Sequence, residues 1–283
     1  MTPISSPVRI AAGLTSTLAV VMASHAAQGE TESPALPLWE VGAFALGVSQ
    51  QAYPGSDTQL QRGLALPYVV YRGKWLRADR DTFGLRALKT DRLEVDVGFA
   101  GAFGGGADEV EARRGMRKLG TLVELGPRVK YLLSDSLYGG RLRLELPLRG
   151  VFDLSDSASY RGLSAEPRLL YERQSSSGWR YGTSLSWVVA NRGLANDFYT
   201  VRPTEATPER LTYDAKAGLV STRWSLSATR SLSRDWRVFG FARLETVRGA
   251  TNANSPLVRK KDGASLGLGV TYTFMRSEAL ARD

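Results

Sequence analysis

Cysteine is absent from the 283-residue chain, and histidine occurs once, at position 25. The first absence excludes disulfides, thiol catalysis, cysteine metal ligands and a cysteine-borne lipid anchor. Long apolar runs are also lacking: beyond residue 27 no window supplies the 18 consecutive apolar residues of a membrane-crossing helix. Helical periodicity is equally scarce there.

Residues 1–27 differ from the rest. Arg9 is their only charge, Ile10 to Ala23 is largely apolar, and Ala23-Ser24-His25-Ala26-Ala27 provides small residues for cleavage. This pattern predicts a secretory signal peptide. Its removal takes His25 with it, so histidine-based zinc sites and a Ser-His-Asp triad are excluded from the mature chain. It also lowers the formal charge from +9 to +8, because Arg9 leaves. A basic secreted protein could meet nucleic acid, anionic lipid or acidic glycan, and charge alone does not choose. No cofactor or metal site is expected.

What remains is alternation. Between Gly140 and Leu154, Leu142, Leu144, Leu146, Leu148, Phe152 and Leu154 alternate with Arg141, Arg143, Glu145, Arg149 and Asp153. The same period of two recurs over 92–103, 178–190 and 264–274, with further strands expected near 39–50, 61–72, 74–87, 119–133, 160–173, 211–232 and 236–248. Many of these runs exceed the 5 to 6 residues typical of a soluble sandwich and reach the roughly 9–11 needed to cross a bilayer. Gly, Ser, Thr and mixed charges mark one face, and aromatics gather near the ends of the apolar face. Short breaks at 134–136, 175–177 and 233–235 alternate with long polar ones at 104–118, 191–210 and 249–262. These features predict an all-β, antiparallel up-and-down transmembrane β-barrel, with short periplasmic turns and long outer loops. Eleven strands are visible; an even number is required, so 12 are expected, with 10 as the alternative. The doubtful stretches are 61–88 and 191–232, the latter a candidate for one more short strand. The expected organisation is signal peptide 1–27, periplasmic segment 28–38, barrel 39–274 and tail 275–283.

Few residues invite a chemical reading. Gly104-Gly105-Gly106 lacks the Gly-Lys-Ser/Thr that a phosphate cradle needs. "AYPGSD" at 52–57 sets Ser56 beside Asp57, but no nucleophile elbow surrounds it and no histidine can serve as its base. Tyr53, Pro54, Gly55 and Ser56 instead fit a type II turn, with Asp57 placed to bond nearby amides, making a fixed loop or a partner contact. Catalysis is not expected. Glu124, Arg128 and Lys130, then Arg141, Arg143, Glu145 and Arg149, then Glu166, Arg168 and Glu172 share the polar faces of successive strands, within ion-pair reach across a sheet. They read either as the lining of an anion-favouring pore, since Arg outnumbers Lys 30 to 7, or as a plug of interleaved charge, which suits a barrel of this size better. Arg113, Arg114, Arg117, Lys118, Arg259, Lys260 and Lys261 lie in loops, where they could meet lipopolysaccharide phosphates. A secreted barrel disfavours nucleic acid despite the charge.

Several segments, taken together in order and spacing, resemble the MipA/OmpV family of MltA-interacting proteins. They are "AYPGSD" at 52–57, "LPYVVYRGKWLRAD" at 66–79, "RRGMRKLGTLVELGPRVKY" at 113–131, "NDFYTVRPTEA" with "LTYDAKAG" over 196–218, "ARLE" and "NSPLV" between 242 and 258, and "GLGVTYTF" at 267–274. The resemblance implies a non-enzymatic barrel in the outer membrane of a Gram-negative bacterium, among outer-membrane lipids and lipopolysaccharide. It implies a scaffold for murein hydrolase and synthase proteins, with roles also proposed in permeability and envelope stress. A narrow channel for small solutes is the alternative, and a lipid-modifying enzyme a distant third. No catalytic residue is carried over. The chain departs from the pattern by continuing past Phe274, the terminal aromatic on which recognition by the barrel assembly machinery is expected to rest.

Overall fold

The computed structural model describes residues 36–72, 76–78, 83–102 and 110–281. The expected signal peptide and Gly104-Gly105-Gly106 lie outside them. Thirteen strand segments follow in order: β1 Trp39–Gln51, β2 Gln59–Arg72, β3 Leu76–Ala78, β4 Phe83–Lys89, β5 Leu93–Ala102, β6 Leu122–Leu137, β7 Gly140–Asp153, β8 Ser159–Ala165, β9 Arg168–Gln174, β10 Trp179–Ala190, β11 Gly218–Ser231, β12 Trp236–Thr246 and β13 Asp262–Arg276. One α-helix, α1 Arg192–Tyr199, interrupts the series among the described residues. Each segment pairs antiparallel with its neighbours, β13 pairs with β1, and β10 pairs with β11, so the sheet closes on itself.

The segments occupy twelve places in the ring, because β8 and β9 share one. Both pair with β10, β8 takes the Leu148–Asp153 half of β7, and β9 takes the Arg141–Glu145 half. Pro167 divides them: it has no N–H to give to the ladder, although its carbonyl still accepts from the Trp187 amide at 3.1 Å. The single strand expected over 160–173 is therefore two pieces in line. The strand missing from the sequence reading lies in 74–87, which the structure divides into β3 and β4. No strand forms between β10 and β11; α1 stands there instead, and β11 starts at Gly218, not near 211. The strand expected to end at 133 runs on to Leu137: Ser134 to Ser136 are a bulge, and the turn is Tyr138-Gly139, with φ of 47° and 71°.

Strand length and facing explain the barrel. Leu144, Leu146, Leu148, Leu185, Leu266 and Leu268 point outward and are exposed, while the residues between them are enclosed. Outward Trp39, Tyr71, Tyr131, Tyr181, Trp236 and Phe274 ring the end that carries the short turns. Trp236, Tyr272 and Phe274 touch in series there, with ring centroids 4.7 and 5.2 Å apart. An apolar belt with an aromatic girdle is the surface a bilayer requires.

The interior is filled in two ways. From β5 round to the start of β12 the enclosed side chains are mostly charged. Across the rest of β12 and over β13, β1 and β2 most are aromatic, aliphatic, small or absent, apart from the Arg72–Glu40 pair at 3.0 Å: Phe239 faces Gly269, Phe241 faces Gly267 and Tyr68 faces Gly42, each as a direct cross-strand pair. A Cβ at any of these three glycines would collide with the ring opposite it. The glycines thus leave the space that the aromatic rings occupy.

Residues 36–39 and 277–281 meet at the short-turn end. Beyond β13, Ser277 and Ala281 donate to the carbonyls of Trp39 and Leu36, and Leu38 donates to Ala279. The tail therefore lengthens the β1–β13 seam.

Candidate functional site

The polar faces of β5 to β12 build one continuous network. Arg128 grips Asp96 through two bonds of 2.9 and 2.7 Å, and Lys130 lies 2.8 Å from Asp96 and 3.1 Å from Glu94. Arg168 pairs with Glu145, and Arg143 with Glu172. Arg149 reaches Glu124 at 3.1 Å and Glu166 at 3.8 Å. Glu166 in turn lies 3.6 Å from Arg223 on β11, whose Nε is 2.6 Å from Glu245 on β12. Arg141 sits opposite Glu172 in the β7–β9 register. The structure thus gathers the ten charges singled out along the sequence onto one interior wall. Asp96, Glu94, Arg223 and Glu245 complete it, and their signal was the same alternation, in strands where the polar face carries only one or two charges.

At the end that carries the long connections, the loops fold inward and form a small apolar core. Tyr53, Val110, Met116, Leu119, Leu194, Tyr199, Val201 and Leu257 are buried there with Leu122, Val151 and Val220 of the strands beneath. Asn191 starts this lid by capping α1: its side chain accepts from the Leu194 amide at 3.1 Å. An Asn immediately before the helical run was the sequence signal for α1.

"AYPGSD" is the keystone of that lid. The Ser56 amide donates to Tyr53 O at 3.0 Å and Gly55 has φ of 91°, as a type II turn requires. Tyr53 Oη donates to Leu257 O at 2.7 Å, and Tyr199 Oη donates to Pro54 O at 3.0 Å. Ser255 Oγ then donates to Tyr199 O at 2.7 Å, so three loops are stitched together. Burial pushes the Tyr53 hydroxyl up to about 12 and raises that of Tyr199 well above its ordinary value.

One expectation for this turn is corrected. Asp57 is exposed and does not cap the turn; Ser56 Oγ accepts the Thr58 amide at 3.1 Å instead, being closer to it. Ser56 is fully enclosed, so its hydroxyl does not reach solvent, while Asp57 is the exposed residue of the turn. The basic loop clusters are also divided. Arg113 is buried, donating to Phe198 O and Arg117 O, and burial lowers its pKa. Arg117 pairs with Asp197, and Lys261 donates to Ala253 O. Arg114, Lys118, Arg259 and Lys260 remain at the surface.

Residues 41–274 match the family model described as MltA-interacting protein MipA. Comparison with curated protein sequences returned no match. Among solved structures, the NanC porin aligns at 11% identity over 83% of this chain and 98% of its own, with a TM-score of 0.37. An outer membrane channel from Pseudomonas putida F1 aligns at 12% identity over 88% and 100%, also at 0.37. The translocator domain of the autotransporter NalP from Neisseria meningitidis aligns at 10% identity over 87% and 90%, at 0.36.

Proposed function

The chain belongs to the MipA family of MltA-interacting proteins, and from that premise we propose that this outer-membrane barrel works as a docking platform for a murein enzyme, not as a channel or a catalyst. The observation that carries the reading is the buried loop core across one mouth, above a lumen cross-braced by ion pairs from β5 to β12. A path for solute would have to open that core and then pass beside the charged wall. Ser56 is fully enclosed, its hydroxyl already accepting a backbone amide, which supports the same reading against catalysis.

On this reading the long loops face outward, where Arg114, Arg259 and Lys260 meet lipopolysaccharide phosphates, and the short turns face the periplasm. The docking surface is the periplasmic rim. Tyr138 stands there at 84% exposure on a strained turn, and Leu232 at 60%. Arg92, Arg234 and Asp235 surround them with exposed charge. Pull-down from envelope extract tests the proposal: wild type should enrich a murein hydrolase or synthase over an unrelated barrel, and Tyr138→Asp with Leu232→Glu should lose it. Enrichment that survives both changes sinks the assigned surface. Discrete conductance steps from the purified protein in a planar bilayer would favour the channel instead.

A further inference from the structure

Between the loop lid and the charged wall lies a cavity of about 100 Å³. Its roof is apolar, made by Leu119, Leu122, Leu194, Phe198 and Val220. Its floor carries Arg223, Arg243, Glu166 and Glu245. Three of these four are satisfied by one another: Arg223 bonds Glu245 and lies beside Glu166, Ser221 donates to Glu245, and Ser186 donates to Glu166 at 3.0 Å. Arg243 is the exception. Its guanidinium makes no ion pair or hydrogen bond among the described residues, and its Nε is fully buried without an acceptor. The Phe241 ring lies 5.9 Å from its Cζ, and Glu166 and Glu245 act on it as charges from beyond ion-pair distance.

We propose that this chamber is a binding site for a short-chain monocarboxylate, held by Arg243 with its alkyl body under the apolar roof. A guanidinium presents five N–H donors in a planar fork and has no acceptor of its own, so one that faces a chamber with its Nε unbonded can take an acceptor from outside the chain. Carboxylate matches that fork in two parallel bonds. The ligand carries one negative charge and not two, because Glu124, Glu166 and Glu245 share the walls and repel further anionic charge. Size sets the rest: a cavity of roughly 150 Å³ holds benzene, so this smaller chamber suits a body of acetate to butyrate size. The lid excludes bulk water, which strengthens the contact at Arg243. The proposal does not depend on the docking role, since the cavity lies in the lumen and not at the rim.

Equilibrium dialysis of labelled butyrate against the full chain folded in detergent micelles tests it. Wild type should bind saturably, and butanol, with the same body but no carboxylate, should not compete. Arg243→Met keeps the bulk and removes the donors; it should weaken binding by about tenfold or more. Val220→Phe leaves Arg243 untouched and fills the roof, and it should abolish binding in a protein whose circular dichroism remains that of a barrel. Either variant, if folded, decides the matter alone. Absence of saturable binding by folded wild type, equal competition by butanol, or full binding by Arg243→Met overturns the proposal and leaves a chamber that holds water only.

Discussion

The two arcs of the barrel wall solve the same problem by opposite means. From β5 to β11 the interior is filled by long charged side chains whose cost of burial is offset by partners across the strand, as in Glu145 with Arg168 and Asp96 with Arg128. Across β12, β13, β1 and β2 it is filled by rings set on glycines, as in Phe241 on Gly267 and Tyr68 on Gly42. The first arc depends on charge balance and tolerates changes of shape; the second depends on shape and contains little charge to unbalance. A narrow barrel therefore needs no central apolar core, only a wall whose inward side chains are mostly paired or packed.

The largest effect should come from unbalancing the charged arc. Glu145→Ala leaves Arg168 enclosed without its carboxylate and should cost about 3–5 kcal/mol in denaturant unfolding from micelles. Glu145→Leu combined with Arg168→Leu should recover most of that loss, because the stranded charge goes with its partner; no recovery would show that the pair does not act as a unit. In the other arc, Gly267→Val evicts the Phe241 ring and should cost about 1–3 kcal/mol by overpacking. Combined with Glu145→Ala, its effect should add within about 0.5 kcal/mol, since the two sites share no partner. Strong coupling would mean that the arcs are not independent.

The smallest effect falls on the lid that both arcs support. Tyr53→Phe removes one bond to Leu257 O and should cost about 0.5–1.5 kcal/mol. The sign of its pH dependence follows from the raised hydroxyl, near 12 when folded against about 10 when unfolded. The folded state holds the proton more tightly, so the contribution of Tyr53 is complete below about pH 10 and is lost as pH rises through 12. Proteolysis of the loops should accelerate over that window in wild type. Tyr53→Phe should reduce the acceleration and Tyr53→Phe with Tyr199→Phe should remove most of it; an unchanged profile would separate lid opening from these hydroxyls.

The charged arc was the more legible in the sequence. Its outward leucines and inward charges alternate from Arg141 to Arg149 with only Pro147 out of pattern, and the barrel follows from that pattern repeated around the ring. The glycine arc was not legible, because Gly267 and Gly269 read as small lumen residues until their register beside Phe241 and Phe239 is known. Boundaries failed where local chemistry mimics another element. Ser134-Asp135-Ser136 has turn composition but forms a bulge, and Tyr138-Gly139 makes the turn one step later. α1 was hidden because a single capped helix of about two turns inside a long polar loop gives too few apolar repeats to register as a helix. The site was legible only as a set of charges. Which of them lacks a partner depends on strand register, and Arg243 became distinct only once Arg223 and Glu245 were seen to satisfy each other.

The seam where Ser277 and Ala281 continue the pairing of β13 along Leu36 to Trp39 bears on how the barrel forms. Joining β1 to β13 closes a loop of nearly the whole chain, the contact with the greatest entropic cost of closure and the one expected last in time. Each bond the tail adds is made only once that loop is shut. It slows reopening without hastening closure, so the short extension past Phe274 works as a latch on the finished ring, and its removal should raise the rate of unfolding while leaving the rate of folding nearly unchanged.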